Sequence, residues 1–180
     1  RLSGIVEELL DFSRMQSGRM DMRFERMDIL AELEEAVVLY REKAERDGIE
    51  LQYVENDNLP PILGDRDRLK QVFINILDNA LKYSGPGGKV RIEAAEVGRH
   101  VQVVISDCGE GISKTDLPHI KQKFYRANRT RPGSGIGLAL ADEIVMRHKG
   151  YLDIDSEQGV GTTVTITLPT ADSGILSAQT

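Results

Sequence analysis

The apolar residues of this chain change period part-way along, from helical to alternating, and that switch restricts the folds open to it. Ile29, Leu33, Val37, Tyr40 and Ala44 recur every three or four residues, and Leu69, Val72, Phe73, Ile76, Leu77 and Ala80 do the same further on. After Gly88 the runs KVRIEAAEV and HVQVVISD meet at Gly98 and Arg99, with Val101, Val103 and Ile105 alternating on one face, the pattern of an antiparallel hairpin. YLDIDSE and TTVTITL form a second hairpin around GVG, and Leu138, Ala141, Val145 and His148 mark a helix between the two. Helices early and paired strands late predict an α+β fold, a two-layer sandwich of helices packed on one face of a mixed, mostly antiparallel sheet.

The punctuation divides the chain. Gly48 is placed to cap the first of these helices, IELQYV follows as a strand, and Pro60 and Pro61 interrupt it. Asp65 stands where an N-cap is wanted for a helix through about Tyr83, which SGPGG ends. At the N-terminus, Leu2, Ile5, Leu9 and Phe12 make the narrow seam of a coiled coil or bundle, too short to be stable alone. The expected divisions are 1–18, the end of a longer helix; 19–28, a linker and short strand in which Met20, Met22 and Phe24 alternate; 29–170, the main domain; and 171–180, a loose tail.

Composition narrows the partners. With 180 residues, 40% of them hydrophobic, the chain can bury a core without a metal or disulfide staple, and its lone Cys108 cannot form an internal disulfide. A net charge of −6 argues against nucleic acid. No apolar run approaches the roughly 20 residues that span a bilayer, so a cytoplasmic location is expected, with an upstream membrane anchor left open because the sequence starts at Arg rather than Met and reads as a fragment.

Three elements carry chemistry. Asn75 and Asn79 are one helical turn apart and Lys82 is three residues on, so all three share a polar stripe beside the buried face. Amide oxygens suit Mg²⁺ and an ammonium neutralises phosphate oxygens, although asparagines at this spacing are common on exposed helices. Tyr83 offers a flat face to a base, or caps the core. The second element is Asp107 at a strand end, followed by Cys108, Gly109, Glu110, Gly111 and Ile112. A fixed carboxylate accepts from the exocyclic amine of adenine and repels the carbonyl of guanine, which predicts ATP over GTP. The third is the run Gly133, Ser134, Gly135, Ile136, Gly137, Leu138, which opens a helix whose free amides favour phosphate. No Walker loop or dinucleotide fingerprint completes it. The basic cluster Lys121, Lys123, Arg126, Arg129 and Arg131 reads as phosphate contacts or as a solvated loop.

With these residues, nearly the whole chain resembles the sensor histidine kinases, and through them the GHKL ATPases that include DNA gyrase, MutL and a heat-shock chaperone. INILDNALKYS looks like the family's N box, DCGEGI its first glycine box, KFYR its F box and GSGIGLAL its second glycine box. RLSGIVEELLDFSRMQSGRM is similar to the end of the dimerisation helix, and GVGTTVTITLP to the closing hairpin. The resemblance implies Mg²⁺ held by Asn79 with support from Asn75, phosphate contact by Lys82, adenine stacking by Tyr83, and Asp107 reading the adenine amine directly and through water with Thr163. It further implies an ATP lid hinged at Gly109 and Gly111 beside Ile112, a phosphate cradle of Gly133, Ser134, Gly135, Ile136, Gly137 and Leu138, and lid residues Tyr125 and Arg126. Arg126 would meet the γ-phosphate, so that Asn75, Lys82 and Arg126 form the catalytic set.

The cofactors implied are ATP and Mg²⁺. The partners implied are the protein's own dimerisation and phosphoacceptor domain in a homodimer, a response regulator, and a candidate protein inhibitor. Two departures stand out: IKQKFYR has Lys121 and Gln122 where the family has an aromatic and an acid, and the segment from Phe124 to Gly133 is short.

Rival readings are an autonomous ATPase, an anti-sigma-factor type serine kinase, and a docking module without kinase activity. Against the first, Asn75 stands where a gyrase-like enzyme has a glutamate base, and an amide cannot take a proton from water. His100, His119 and His148 lack the surroundings of a phosphoacceptor, so the chain alone is not expected to autophosphorylate.

Overall fold

The computed structural model describes residues 2–122, 125–126 and 135–173. Helix α1 (Leu2–Gln16) leads through strand β1 (Glu25–Met27) to α2 (Ile29–Arg46), β2 (Glu50–Tyr53), β3 (Ile62–Gly64) and α3 (Arg66–Ser84). Strands β4 (Lys89–Val97) and β5 (His100–Asp107), a 3-10 turn at Leu117–His119, α4 (Gly137–Arg147), β6 (Tyr151–Glu157) and β7 (Gly161–Pro169) complete it. The main sheet runs β2-β4-β5-β7-β6, with β2 parallel to β4 and every other pair antiparallel. Its inward residues, among them Val90, Ile92, Val101, Val103, Ile105, Ile166 and Leu168, face the apolar sides of α2, α3 and α4, the expected two-layer arrangement.

The helices start where the sequence supplies caps. The Asp28 carboxylate accepts from the Leu30 N–H at 3.0 Å, and Asp65 Oδ1 from the Arg68 N–H at 3.1 Å. The second Asp65 oxygen accepts from the Arg23 N–H at 2.9 Å, tying the linker to the start of α3. His148, at the C-terminal end of α4, is buried against the same spot: its Nε2 accepts from the Asp65 N–H at 3.0 Å, and its other ring nitrogen bonds the Ile144 carbonyl at 2.7 Å. Burial pushes the imidazole pKa below its usual value, against the opposing pull of the Ile144 carbonyl and the Asp65 charge. Among the described residues α3 buries Leu69, Val72, Phe73, Ile76, Leu77, Ala80 and Leu81, the predicted stripe extended by one position.

Three expectations change. The short strand expected within 19–28 is Glu25–Met27, but its antiparallel partner Ile62–Gly64, which completes a small separate sheet, is not among the expected strands, being too short to show alternation in sequence. Residues 171–173 are not loose: the Ala171 N–H donates to the Pro61 carbonyl at 2.9 Å, Asp172 pairs with Arg26, and Ser173 is buried. The rest of the expected tail lies outside the described residues. In α1, Phe12 and Met15 join the main core, Leu9 faces outward with Val6 and Leu10, and the side chains of Leu2 and Ile5 are outside the description. Asp11 reaches Arg68 at 3.5 Å, and the Arg147 guanidinium donates to the Met15 carbonyl.

Candidate nucleotide site

A cavity of about 300 Å³ lies between α3, the start of α4 and the adjoining ends of β5, β7 and β6. Asn75, Asn79, Lys82 and Tyr83 enter it from α3; Asp107, Gly111 and Ile112 from the end of β5 and the loop after it; Gly135, Gly137 and Leu138 from the start of α4; and Tyr125 and Arg126 from the intervening segment. Residues as far apart in the chain as Asn75 and Gly137 therefore share one wall. Gly133 and Ser134 lie outside the described residues, as do Lys123, Phe124, Arg129 and Arg131.

At one end the polar stripe of α3 meets α4. The Asn75 amide donates to the Gly137 carbonyl at 3.0 Å, holding the first turn of α4 against α3. That turn contributes the positive end of a helix dipole to the cavity wall. Asp78, which the sequence reading passed over, also lines the cavity and accepts from the Tyr40 hydroxyl and Lys43 Nζ, both at 3.4 Å, with Lys82 Nζ at 3.8 Å. The Asp78 charge and burial together push the Tyr40 phenol upward, burial being the larger cause.

At the other end sits Asp107. Burial raises its pKa above the ordinary carboxylate range, while backbone N–H groups of Gly109 and Thr162 pull in the opposite direction; the Gly109 N–H lies 2.9 Å from Oδ1. Gly109 does not line the cavity. It packs so closely on the end of α3 that a Cβ there would run into the Tyr83 carbonyl, and the neighbouring Glu110 N–H donates to that carbonyl at 3.2 Å. Gly161 likewise leaves no room for a Cβ beside the Asp107 carbonyl, at φ +149°. Ile105, Ile154 and Val164 supply an apolar floor. The alternating pattern had marked Ile105 as core, and it lies at the seam of core and cavity.

Besides Gly109, two predicted residues are placed differently. Ile136 is fully buried beneath the start of α4. Thr163 is on the opposite face of the sheet, its hydroxyl 3.2 Å from Ser106, and it is Thr162, cross-strand neighbour of Asp107, that faces the cavity. Strand side chains alternate, so a one-residue misjudgement of register within TTVT selects the wrong threonine.

The segment carrying Tyr125 is anchored twice. The Tyr125 hydroxyl bonds the Asp116 carboxylate, which also accepts from Ser113 Oγ at 2.8 Å, and these donors hold Asp116 below the usual carboxylate range. Lys121, which stands where the family has an aromatic, bridges to the Leu152 carbonyl at 3.1 Å and Asp142 at 3.4 Å. Glu8 of α1 also contributes to the cavity wall.

Comparison with known proteins agrees with this geometry. Residues 64–172 match the family described as histidine kinase-, DNA gyrase B-, and HSP90-like ATPase. The chain belongs to this family. It is 36% identical over 181 residues to the non-motile and phage-resistance protein of Caulobacter vibrioides, covering 96% of this chain and 21% of that protein. Against the alginate biosynthesis sensor protein KinB of Pseudomonas aeruginosa it is 32% identical, covering 94% and 28%. The chain therefore spans less than a third of the length of these relatives. In structure it is similar to full-length ShkA in complex with AMPPNP, with a TM-score of 0.85 and 26% identity over 94% of this chain and 36% of that one. Among the described residues, no helix is long and apolar enough to cross a membrane.

Proposed function

We propose that this chain is the ATP-binding catalytic domain of a sensor histidine kinase, which transfers the ATP γ-phosphate to a histidine on a dimerisation domain for onward transfer to a response regulator. The observation that carries the reading is the polarity of one cavity, with an amide-and-lysine stripe beside a helix start at one end and a buried carboxylate over an apolar floor at the other. The first end suits phosphates and the second an amine-bearing base. The likeness to ShkA, itself solved with AMPPNP, supports an adenine nucleotide as the ligand. In this reading α1 is the end of the dimerisation helix, residues 19–28 the linker, and the remainder the catalytic domain.

Asn79, an uncharged hard-oxygen donor on the cavity wall, fits Mg²⁺, which binds with few protein ligands and takes the rest from phosphates and water. When bound, the ion would neutralise charge on the phosphate oxygens. Lys82 and Arg126, on the same cavity wall, would neutralise the remainder, and Asn75, through its bond to the Gly137 carbonyl, would hold the first turn of α4 toward the phosphates. Tyr83 and Leu138 enclose the nucleotide, and catalysis is positioning and charge neutralisation. No carboxylate occupies the Asn75 position, so water is not activated there, which favours transfer to a nucleophile over hydrolysis.

Calorimetric titration with a non-hydrolysable ATP analogue and Mg²⁺ tests this, with the GTP analogue as control. Binding of the adenine analogue by the native chain, lost in both Asn79→Ala and Asp107→Asn, is expected. A native chain that binds neither nucleotide would overturn the reading in favour of a docking module.

A further inference from the structure

Ser156, Thr162 and Asp107 form one row across β6, β7 and β5: Ser156 is the cross-strand partner of Thr162, and Thr162 of Asp107. Ser156 Oγ has three partners, the Ile112 N–H at 2.8 Å, the Gly161 carbonyl at 3.0 Å and Thr162 Oγ1 at 2.8 Å. A hydroxyl carries one proton and two lone pairs. The Ile112 amide can only donate and the Gly161 carbonyl can only accept, so the Ser156 proton goes to Gly161. The Thr162 hydroxyl must then give its own proton to Ser156. That leaves Thr162 only lone pairs to offer elsewhere, beside a carboxylate that is itself an acceptor.

From this proton inventory we propose that Ser156 is a specificity-determining positioning residue. By taking the Thr162 proton, it makes the Asp107 end of the cavity acceptor-only, selecting a base edge, or a bridging water, that donates over one that presents a carbonyl. The inference rests on the nucleotide reading above and adds the group that sets the choice of base. Ser156 touches no ligand in this scheme. It acts through Thr162, and through Ile112 it also holds the loop that follows Asp107.

The test titrates non-hydrolysable adenosine and inosine triphosphate analogues, each with Mg²⁺, into the native chain, Ser156→Ala and Thr162→Val. Inosine carries a carbonyl where adenosine carries the amine. The native chain should prefer the adenosine analogue. In Ser156→Ala the Thr162 hydroxyl is free to turn its proton toward a carbonyl, so the preference should shrink by about five- to tenfold, roughly the worth of one hydrogen bond. Thr162→Val should also lose preference, without a gain for inosine. A purely structural role for Ser156 would weaken both analogues alike, and an unchanged ratio overturns the proposal. Should Ser156→Ala fail to fold, Ser156→Thr keeps a hydroxyl and should keep the native ratio; Thr162→Val retaining that ratio would be equally fatal. If the native chain binds neither analogue, the nucleotide reading itself fails and takes this one with it. Native adenosine preference that survives in the variants refutes the Ser156 role alone.

Discussion

His148 makes the joint between α4 and the N-cap of α3 sensitive to acid. Its Nε2 accepts the Asp65 N–H, which only the unprotonated ring can do, and protonation would set a donor against a donor in a buried site. Burial already depresses the imidazole pKa, so the unfolded chain binds this proton more readily than the folded one. The stabilisation is therefore fully present above the ordinary histidine pKa and is lost as pH falls through the depressed folded value. Between the two values the loss approaches about 1.4 kcal/mol per pH unit. His148→Phe keeps a ring of similar size against Phe24, whose own ring lies 5.1 Å away, but removes the acceptor. At pH 7.5 it should cost about 1–3 kcal/mol, the penalty for an orphaned buried N–H. Urea unfolding followed by far-UV circular dichroism at pH 7.5, 6.5 and 5.5 should show a native chain that weakens with acid and a variant whose stability changes less. His100 and His119 remain in both proteins, so the difference isolates His148. An identical acid slope in the variant, or none in the native chain, would refute the assignment.

Nucleotide affinity should carry a second acid dependence. Because burial raises the Asp107 pKa, the carboxylate gives up its acceptor role at a higher pH than an exposed aspartate would, and calorimetry across mildly acidic pH should show adenine binding fall there; affinity that stays flat across that range would refute the assignment. The same shift has the opposite sign for folding: at this site acid favours the folded state, since the buried carboxyl holds its proton more tightly than in the unfolded chain. Gly109→Ala forces a Cβ into the Tyr83 carbonyl, backbone that cannot swing aside, and should cost about 1–3 kcal/mol with weakened nucleotide binding; an unchanged thermal midpoint would count against that close packing.

The large elements were legible because each carries redundant local signals. Helix α3 has an apolar period, an Asp65 cap and a glycine-rich stop, and the two hairpins have alternation on both sides of tight turns. What escaped depends on distant partners. Strand β3 exists because β1 pairs with it, and residues 171–173 are ordered by Pro61, Arg26 and Arg99 from other parts of the chain. In the site, motif residues were legible by type and spacing, whereas Thr162 in place of Thr163 was a matter of register. Asp78 carries no motif signal of its own, since its meaning comes from Tyr40 and Lys43 on another helix.

Helix α1 spends one face and leaves the other unspent. Phe12 and Met15 are buried, while Val6 and Leu10 on the far side, and Leu9 at the edge beside Phe12, meet solvent. Withdrawing both buried side chains would cost about 3–6 kcal/mol, a factor of roughly a hundred to ten thousand in population. Asp11 and the Met15 carbonyl tie the helix to α3 and α4, one contact each. Because Glu8 of the same helix lies on the cavity wall, the seating of α1 and the shape of the site are parts of one surface.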